Sequence, residues 1–185
     1  MRPTERIKEA QRVLEAEARA IFASSKKISL NFSKCIDLII DCKGTVVISG
    51  IGKSGNIGKK ITSTLASLGT PSIFLHTSDA FHGDLGILRK DDLLICISNS
   101  GETDELVRLL NYAKRNDIKS IAITGNVNST ISKEASISLN SSVESEACPL
   151  NLAPTCSTSV TMALGDALAS ICAMERGFKE IDFAR

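Results

Sequence analysis

The chain has no surplus of charge: 22 Lys and Arg stand against 21 Asp and Glu, for a formal net charge of +1. It also has no Lys/Arg-rich run, so neither a polyanionic partner nor a nucleic-acid footprint is expected. Its six cysteines (35, 42, 96, 148, 156 and 172) form no Cys-x-x-Cys pair. Most sit in apolar segments, which implies reduced, buried thiols rather than disulfides or a zinc knuckle. No apolar stretch approaches the roughly 18 residues needed to span a bilayer. Met1 to Ala10 is charged and helical in pattern, unlike a signal peptide. A cytoplasmic protein with no membrane partner is therefore expected. Histidine is scarce as well, with only His76 and His82.

The 185 residues, 43% of them hydrophobic, suffice for one substantial core and are short for two. A single domain over 1–185 is expected. Ile7, Leu14, Ala18, Ile21 and Phe22 recur at helical spacing and predict a helix over about 4–25. Ser29 caps a second helix, buried through Phe32, Ile36, Ile39 and Ile40, that ends by Lys43-Gly44. From there short β-rich runs alternate with amphipathic stretches: Thr45 to Ser49, Ser72 to His76, Leu93 to Ser98, Ser120 to Thr124 and Ala135 to Leu139. Helices are expected at about 55–68, 103–115 and 128–134, with a turn near 79–84 and a long last helix from about Thr155 to Arg176. This rhythm predicts an α/β fold. Its five-stranded parallel sheet, in doubly wound, flavodoxin-like order, occupies 44–185 and is flanked by helices, and residues 1–43 form an N-terminal helical extension.

The stretch Ile97-Ser98-Asn99-Ser100-Gly101-Glu102-Thr103 follows the apolar run Leu93 to Cys96 and opens a helical pattern. A buried strand ending in small hydroxyl residues before a helix directs backbone N–H groups at one point, where an anion belongs. Ser98, Ser100 and Thr103 add hydroxyl donors, and Gly101 allows close approach. Simple helix capping is the competing reading. A second loop of like construction, Gly50-Ile51-Gly52-Lys53-Ser54-Gly55, follows Thr45 to Ser49. In an open parallel sheet both loops lie at the carboxyl ends of strands, which suggests one shared site. The match to G-x-G-x-x-G does not indicate a dinucleotide site. The second strand ends in His76 and Thr77, without the acidic residue expected roughly 20 positions on. Nor is it a P-loop, because Val47 stands where glycine is required.

These two loops, with His82-Gly83-Asp84-Leu85-Gly86 and the segment Glu146-Ala147-Cys148-Pro149-Leu150-Asn151-Leu152-Ala153-Pro154-Thr155, resemble the sugar isomerase (SIS) domain of the arabinose 5-phosphate isomerase family. The resemblance runs from about Gly44 to Ala184. It implies interconversion of ribulose 5-phosphate and arabinose 5-phosphate, the first step toward the acid sugar Kdo of lipopolysaccharide and capsule. Many members carry CBS domains after this domain, and the chain stops at Arg185, so no such appendage is expected. Members also place a catalytic histidine shortly after the stretch resembling Asp182-Phe183-Ala184, which this sequence does not reach. A catalytically silent sugar-phosphate sensor, or an isomerase of another sugar phosphate, therefore remains an alternative.

Such a reaction moves a proton between C1 and C2 through an enediol or enediolate, and needs a carbon base, an oxygen acid and a phosphate grip. Glu146 is expected to be the base, shielded by Leu150, Leu152 and partner subunits so that its pKa rises toward neutrality. Glu105, in the first turn after the phosphate loop, is expected to move a proton or orient hydroxyls, although acidic residues there often only complement the dipole. His82 suits ring opening or proton transfer between oxygens, and Lys53 neutralises the phosphate or an enediolate oxygen. Gly52, Ser54, His76, Ser98, Asn99, Ser100 and Thr103 are expected to bind substrate and phosphate. The resemblance adds Gly69 and Thr70 as a substrate-contacting pair. It also associates His76 with zinc, but two histidines without cysteine or carboxylate partners at ligand spacing make a weak metal site, so such zinc is adventitious or inhibitory and no cofactor is expected to be required. The last helix is apolar over more than one stripe, and the family forms dimers of dimers. A homotetramer, with a dimer next, is expected.

Overall fold

The computed structural model describes residues 1–183; Ala184, where the family resemblance ends, and Arg185 lie outside the described residues. A five-stranded, all-parallel sheet runs in the order β2-β1-β3-β4-β5, the flavodoxin-like order expected. Its strands are β1 (Val46–Gly50), β2 (Ser72–Phe74), β3 (Leu93–Ser98), β4 (Lys119–Thr124) and β5 (Ile137–Asn140). The helices are α1 (Pro3–Ser25), α2 (Leu30–Asp41), α3 (Gly52–Ser67), α4 (Thr77–Ala80), α5 (Asp104–Arg115), α6 (Thr130–Glu134), α7 (Cys156–Glu175) and α8 (Glu180–Phe183), with a 3-10 turn at Asp84–Ile87.

Side chains alternate across a strand, so each central strand feeds two cores. Val46, Ile48, Leu93, Ile95, Ile97, Ile121 and Ile123 meet α2, α3 and α7 on one face. Val47, Leu94, Cys96 and Ala122 meet α5 and α6 on the other. All six residues of β3 are buried, as the continuous run Leu93 to Ser98 requires. At the edge, β2 pairs only with β1 and is three residues long, shorter than the expected run to His76. Ser29 caps α2 as expected, accepting from Asn31 N–H at 3.4 Å.

One sequence expectation needs correction. Among the described residues, α7 is long and apolar enough to cross a membrane by length and composition, with a mean hydropathy of 1.3. Packing explains its composition: α7 lies against α1, α2 and α3, and ten of its residues are buried. It crosses α3 where Gly165 meets Ile61, and Lys60 pairs with Asp166. A Cβ on Gly165 would stand 2.4 Å from Ile61 Cγ1, and Ile61 is itself buried and cannot retreat. Gly165→Ala is expected to cost about 1–3 kcal/mol by overpacking, visible as a lowered denaturant midpoint at unchanged slope.

Helix direction then positions the site. The loop leaving β1 enters α3 on one face, whereas the loop leaving β3 enters α5 on the other. The carboxyl ends of neighbouring β1 and β3 are thus a topological switch point, where a crevice opens for a ligand. Beyond their crossing, α3 and α7 both run toward the opposite edge, where Phe178, just past α7, packs on Gly69. Both helices therefore start at the carboxyl edge.

Candidate functional site

At the end of β3 the chain folds around one hydroxyl. Ser98 Oγ accepts from Gly101 N–H at 3.0 Å and shares hydrogen bonds with Thr103 Oγ1 at 2.9 Å and Ser100 Oγ at 3.4 Å. Ser98, expected as one of the hydroxyl donors to the anion, is buried and its hydroxyl bonds within the loop in the single chain. As the last residue of a central strand it is covered from both faces. Asn99 and Ser100 are exposed and Thr103 half-buried, with Thr103 the N-cap residue of α5. Gly101 adopts φ +70°, and a Cβ there would fall 2.0 Å from Ser129 Oγ.

The loop is braced by β4 and α6, which sequence reasoning missed. Gly125 N–H donates to Asn99 O at 3.1 Å, Ile131 N–H to Gly101 O at 3.2 Å, and Thr130 N–H to Glu102 Oε1 at 2.9 Å. Glu102 thereby serves the start of α6 and is held below the usual carboxylate range by its bonds to Thr130. These partners lie 26 to 30 residues downstream, and no local pattern announces them.

Residues 50–55, expected as a loop, are helical from Gly52 onward, which places Lys53 and Ser54 in the first turn of α3. Glycine density signalled a loop, but here it serves close packing: a Cβ on Gly55 would lie 2.7 Å from Gly50 O. No side chain caps this turn and no acidic residue sits in it, so its N–H groups and dipole face the strand ends. Beside it lies a cavity of about 330 Å³ lined by Lys53, Asn56, Lys59, Phe74 and His76. Lys59 Nζ stands 5.3 Å from the Phe74 ring centroid. Asn56 and Lys59 were not anticipated, although their spacing from Gly52 and Lys53 puts them on one helical face.

His76 Nδ1 accepts from Ser78 N–H at 3.3 Å, so in the neutral ring the proton sits on Nε2. That tautomer offers a donor and no free lone pair for a metal. Among the described residues no group of three or more His, Cys, Asp or Glu side chains gathers to hold a metal ion. The donor set at His76 does not fit a zinc site. His82 is exposed in the turn between α4 and the 3-10 segment, on the same carboxyl edge.

Glu146 lies in the connection from β5 to α7, and its carboxylate closes the start of α7. Oε2 accepts from Thr155 N–H at 2.8 Å, Thr155 Oγ1 at 3.0 Å and Ser157 N–H at 3.2 Å, while Ser157 Oγ donates to Oε1. Burial alone pushes its pKa up, but the hydrogen bonds from Ser157 and Thr155 together outweigh burial and hold it below the usual carboxylate range. In the single chain this direction is opposite to the expected upward shift, which included shielding by partner subunits. The supposed shields, Leu150 and Leu152, are 75% and 78% exposed in the single chain.

A depressed folded pKa stabilises the native state above the unfolded value, and that contribution is lost as pH falls through the folded pKa. Acid unfolding of the wild type is therefore expected to steepen below about pH 4.5. Glu146→Gln, which does not titrate, should flatten that part of a plot of stability against pH.

Glu105 is exposed in the first turn of α5 next to Asp104. Gly69 and Thr70, by contrast, are not brought to this edge within one chain. They follow α3, which has run back across the sheet, and Val46 N–H at the start of β1 bonds to the adjacent Pro71 O at 2.9 Å. A crossover helix returns the chain to the amino edge, and these two residues must lie there. Gly69, at φ +82°, ends α3, and Thr70 is buried.

Comparison with known proteins adds a family and several relatives. The model of the SIS domain matches residues 38–171. Arabinose 5-phosphate isomerase KdsD of Pseudomonas aeruginosa is 50% identical over 96% of this chain and 55% of its own length. Arabinose 5-phosphate isomerase KpsF of Escherichia coli O6:H1 is 48% identical over 97% of this chain and 55% of its own. The chain thus spans about half the length of the curated relatives it matches. Among solved structures, an E. coli CFT073 protein in complex with arabinose 5-phosphate superposes with a TM-score of 0.96 at 38% identity, covering 100% of this chain and 98% of that one. A putative phosphosugar isomerase involved in capsule formation from Bacteroides fragilis superposes with a TM-score of 0.92 at 38% identity, covering 96% and 95%.

Proposed function

Because this chain belongs to the SIS domain family, we propose that it interconverts ribulose 5-phosphate and arabinose 5-phosphate through an enediol or enediolate, supplying the first step toward Kdo. The observation that carries the proposal is the pairing, at one sheet edge, of a hydroxyl-rich loop before α5 with an uncapped α3 start bearing Lys53. The 38% identity to a protein solved with arabinose 5-phosphate and the names of the KdsD and KpsF relatives support the same substrate class.

In this reading Asn99, Ser100 and Thr103, with the loop N–H groups and Ser54, grip the phosphate. Lys53 and the first turn of α3 balance its charge or that of an enediolate oxygen. Glu146 removes the carbon proton, and His82 and Glu105 handle the oxygens and ring opening. Moving a proton between adjacent carbons is redox-neutral overall, so the reaction needs no external oxidant or reductant, and the reading assigns it no cofactor.

Apolar exposure supports self-association, a homotetramer first and a dimer next. Ile7, Leu14 and Phe22 on α1 are 60%, 70% and 66% exposed, and Leu150 and Leu152, in the same β5–α7 connection as Glu146, are exposed as well. A subunit packed over this connection closely enough to remove water from the Glu146 carboxylate would make it a stronger base. Light-scattering mass tests the assembly.

Following ribulose 5-phosphate by its phosphorus resonance tests the activity: a growing arabinose 5-phosphate signal is expected. Saturable binding without conversion would favour a sugar-phosphate sensor, a reading that the hydrogen-bonded state of Glu146 keeps in play.

A further inference from the structure

Helix α1 lies outside the residues that the SIS model matches, yet one of its side chains reaches the Glu146 loop. The Arg12 guanidinium is set first by Glu9, whose carboxylate accepts from Nε at 2.9 Å and from a terminal nitrogen at 2.7 Å. That same terminal nitrogen donates to Ala147 O at 2.5 Å, across 135 residues of sequence. Ala147 is buried, and its own N–H donates to Thr155 Oγ1 at 2.8 Å. Glu146 N–H in turn donates to Asn151 Oδ1 at 2.6 Å. The backbone on both sides of the Glu146 carboxylate is thus tied, and among the described residues Arg12 is the one from outside the β5–α7 connection that bonds the backbone next to Glu146, Lys27 reaching the connection only further back at Ser142. Ser159 Oγ, which donates to the Glu17 carboxylate one turn and a half further along α1, holds the two helices in register for this contact.

We propose that Arg12 is a positioning residue for Glu146, so that the N-terminal helix is part of the catalytic apparatus although it touches no substrate. This inference rests on the reading of Glu146 as the carbon base. Removing Arg12 leaves a buried carbonyl without its donor and releases the residue whose side chain must meet the substrate carbon. The phosphate grip belongs to other loops, so binding is spared.

The test compares wild type, Arg12→Ala, Arg12→Lys and Glu9→Gln in the full chain. Arg12→Ala is expected to lower kcat about tenfold with KM changed less than about twofold. Arg12→Lys should recover part of the loss, because an ammonium reaches the carbonyl but cannot keep the fork with Glu9. A second readout needs no turnover: the ¹³C carboxyl titration of Glu146 should move upward in Arg12→Ala as its capping bonds loosen. Unchanged kcat together with an unchanged Glu146 midpoint in folded Arg12→Ala overturns the proposal. Should that variant fail to fold, Arg12→Lys and Glu9→Gln decide by the same two measurements. If the wild type itself does not convert ribulose 5-phosphate, the isomerase reading falls, and the Glu146 midpoint alone still decides whether Arg12 positions that carboxylate.

Discussion

Glu146→Gln is expected to lower kcat by about two to four orders of magnitude, the usual worth of a positioned acid or base, while substrate affinity stays close to that of the wild type. The hydrogen-bond pattern makes this substitution unusually clean. Three donors converge on Oε2 and one hydroxyl on Oε1. A glutamine with its carbonyl oxygen at the Oε2 position keeps the three donors. Its NH₂ then donates to Ser157 Oγ, whose rotor turns to accept. The start of α7 remains capped and the loop keeps its path, so what is lost is charge and basicity. Solvent-proton exchange at the substrate carbon reads the step directly, and normal exchange in Glu146→Gln would remove Glu146 from the role of base. Glu105→Gln in parallel should retain exchange and slow only the overall reaction, since that exposed carboxylate is assigned to the oxygens.

The second large effect is expected at Gly101. The residue sits at φ +70°, which costs an alanine about 1–2 kcal/mol. Its added Cβ would lie 2.0 Å from Ser129 Oγ, 2.4 Å from Ser129 Cβ and 2.8 Å from Thr124 Oγ1. Ser129 and Thr124 are both fully buried, so neither can move away, and overpacking adds about 1–3 kcal/mol. Relief comes only by lifting the loop, which breaks the bonds of Gly101 N–H to Ser98 Oγ and of Ile131 N–H to Gly101 O. Gly101→Ala should therefore lose stability and phosphate affinity together. A calorimetric titration with inorganic phosphate or substrate, beside a denaturation curve, checks both. An alanine variant that binds as tightly as wild type would separate this loop from the phosphate.

Much of the scaffold was legible because it is local. The boundaries of β3 follow from an unbroken apolar run, the cap of α2 from Ser29, and the strand order from right-handed crossovers between short β-rich runs. Errors arose where one residue type serves two ends. The glycines of 50–55 resembled turn chemistry but let α3 approach β1, and the apolar surface of α7 is divided among three helices. Gly69 and Thr70, expected as a substrate-contacting pair by resemblance, are carried by a crossover helix about 24 Å long to the far edge of their own chain, so a contact with the site described here would have to come from another subunit.

Alternation, periodicity and hydroxyl-rich strand ends determined the α/β order and the edge at which an anion would be held, since each depends on residues within one turn or one strand of each other. Whether Ser98 is exposed or buried, and whether the Glu146 carboxylate is free or tied, was decided only by tertiary structure. Ser98 is covered by the elements packed on both faces of β3, and Glu146 takes its donors from Thr155 and Ser157 at the start of α7, so a carboxylate's proton affinity is set by the groups folded against it rather than by its immediate neighbours in sequence.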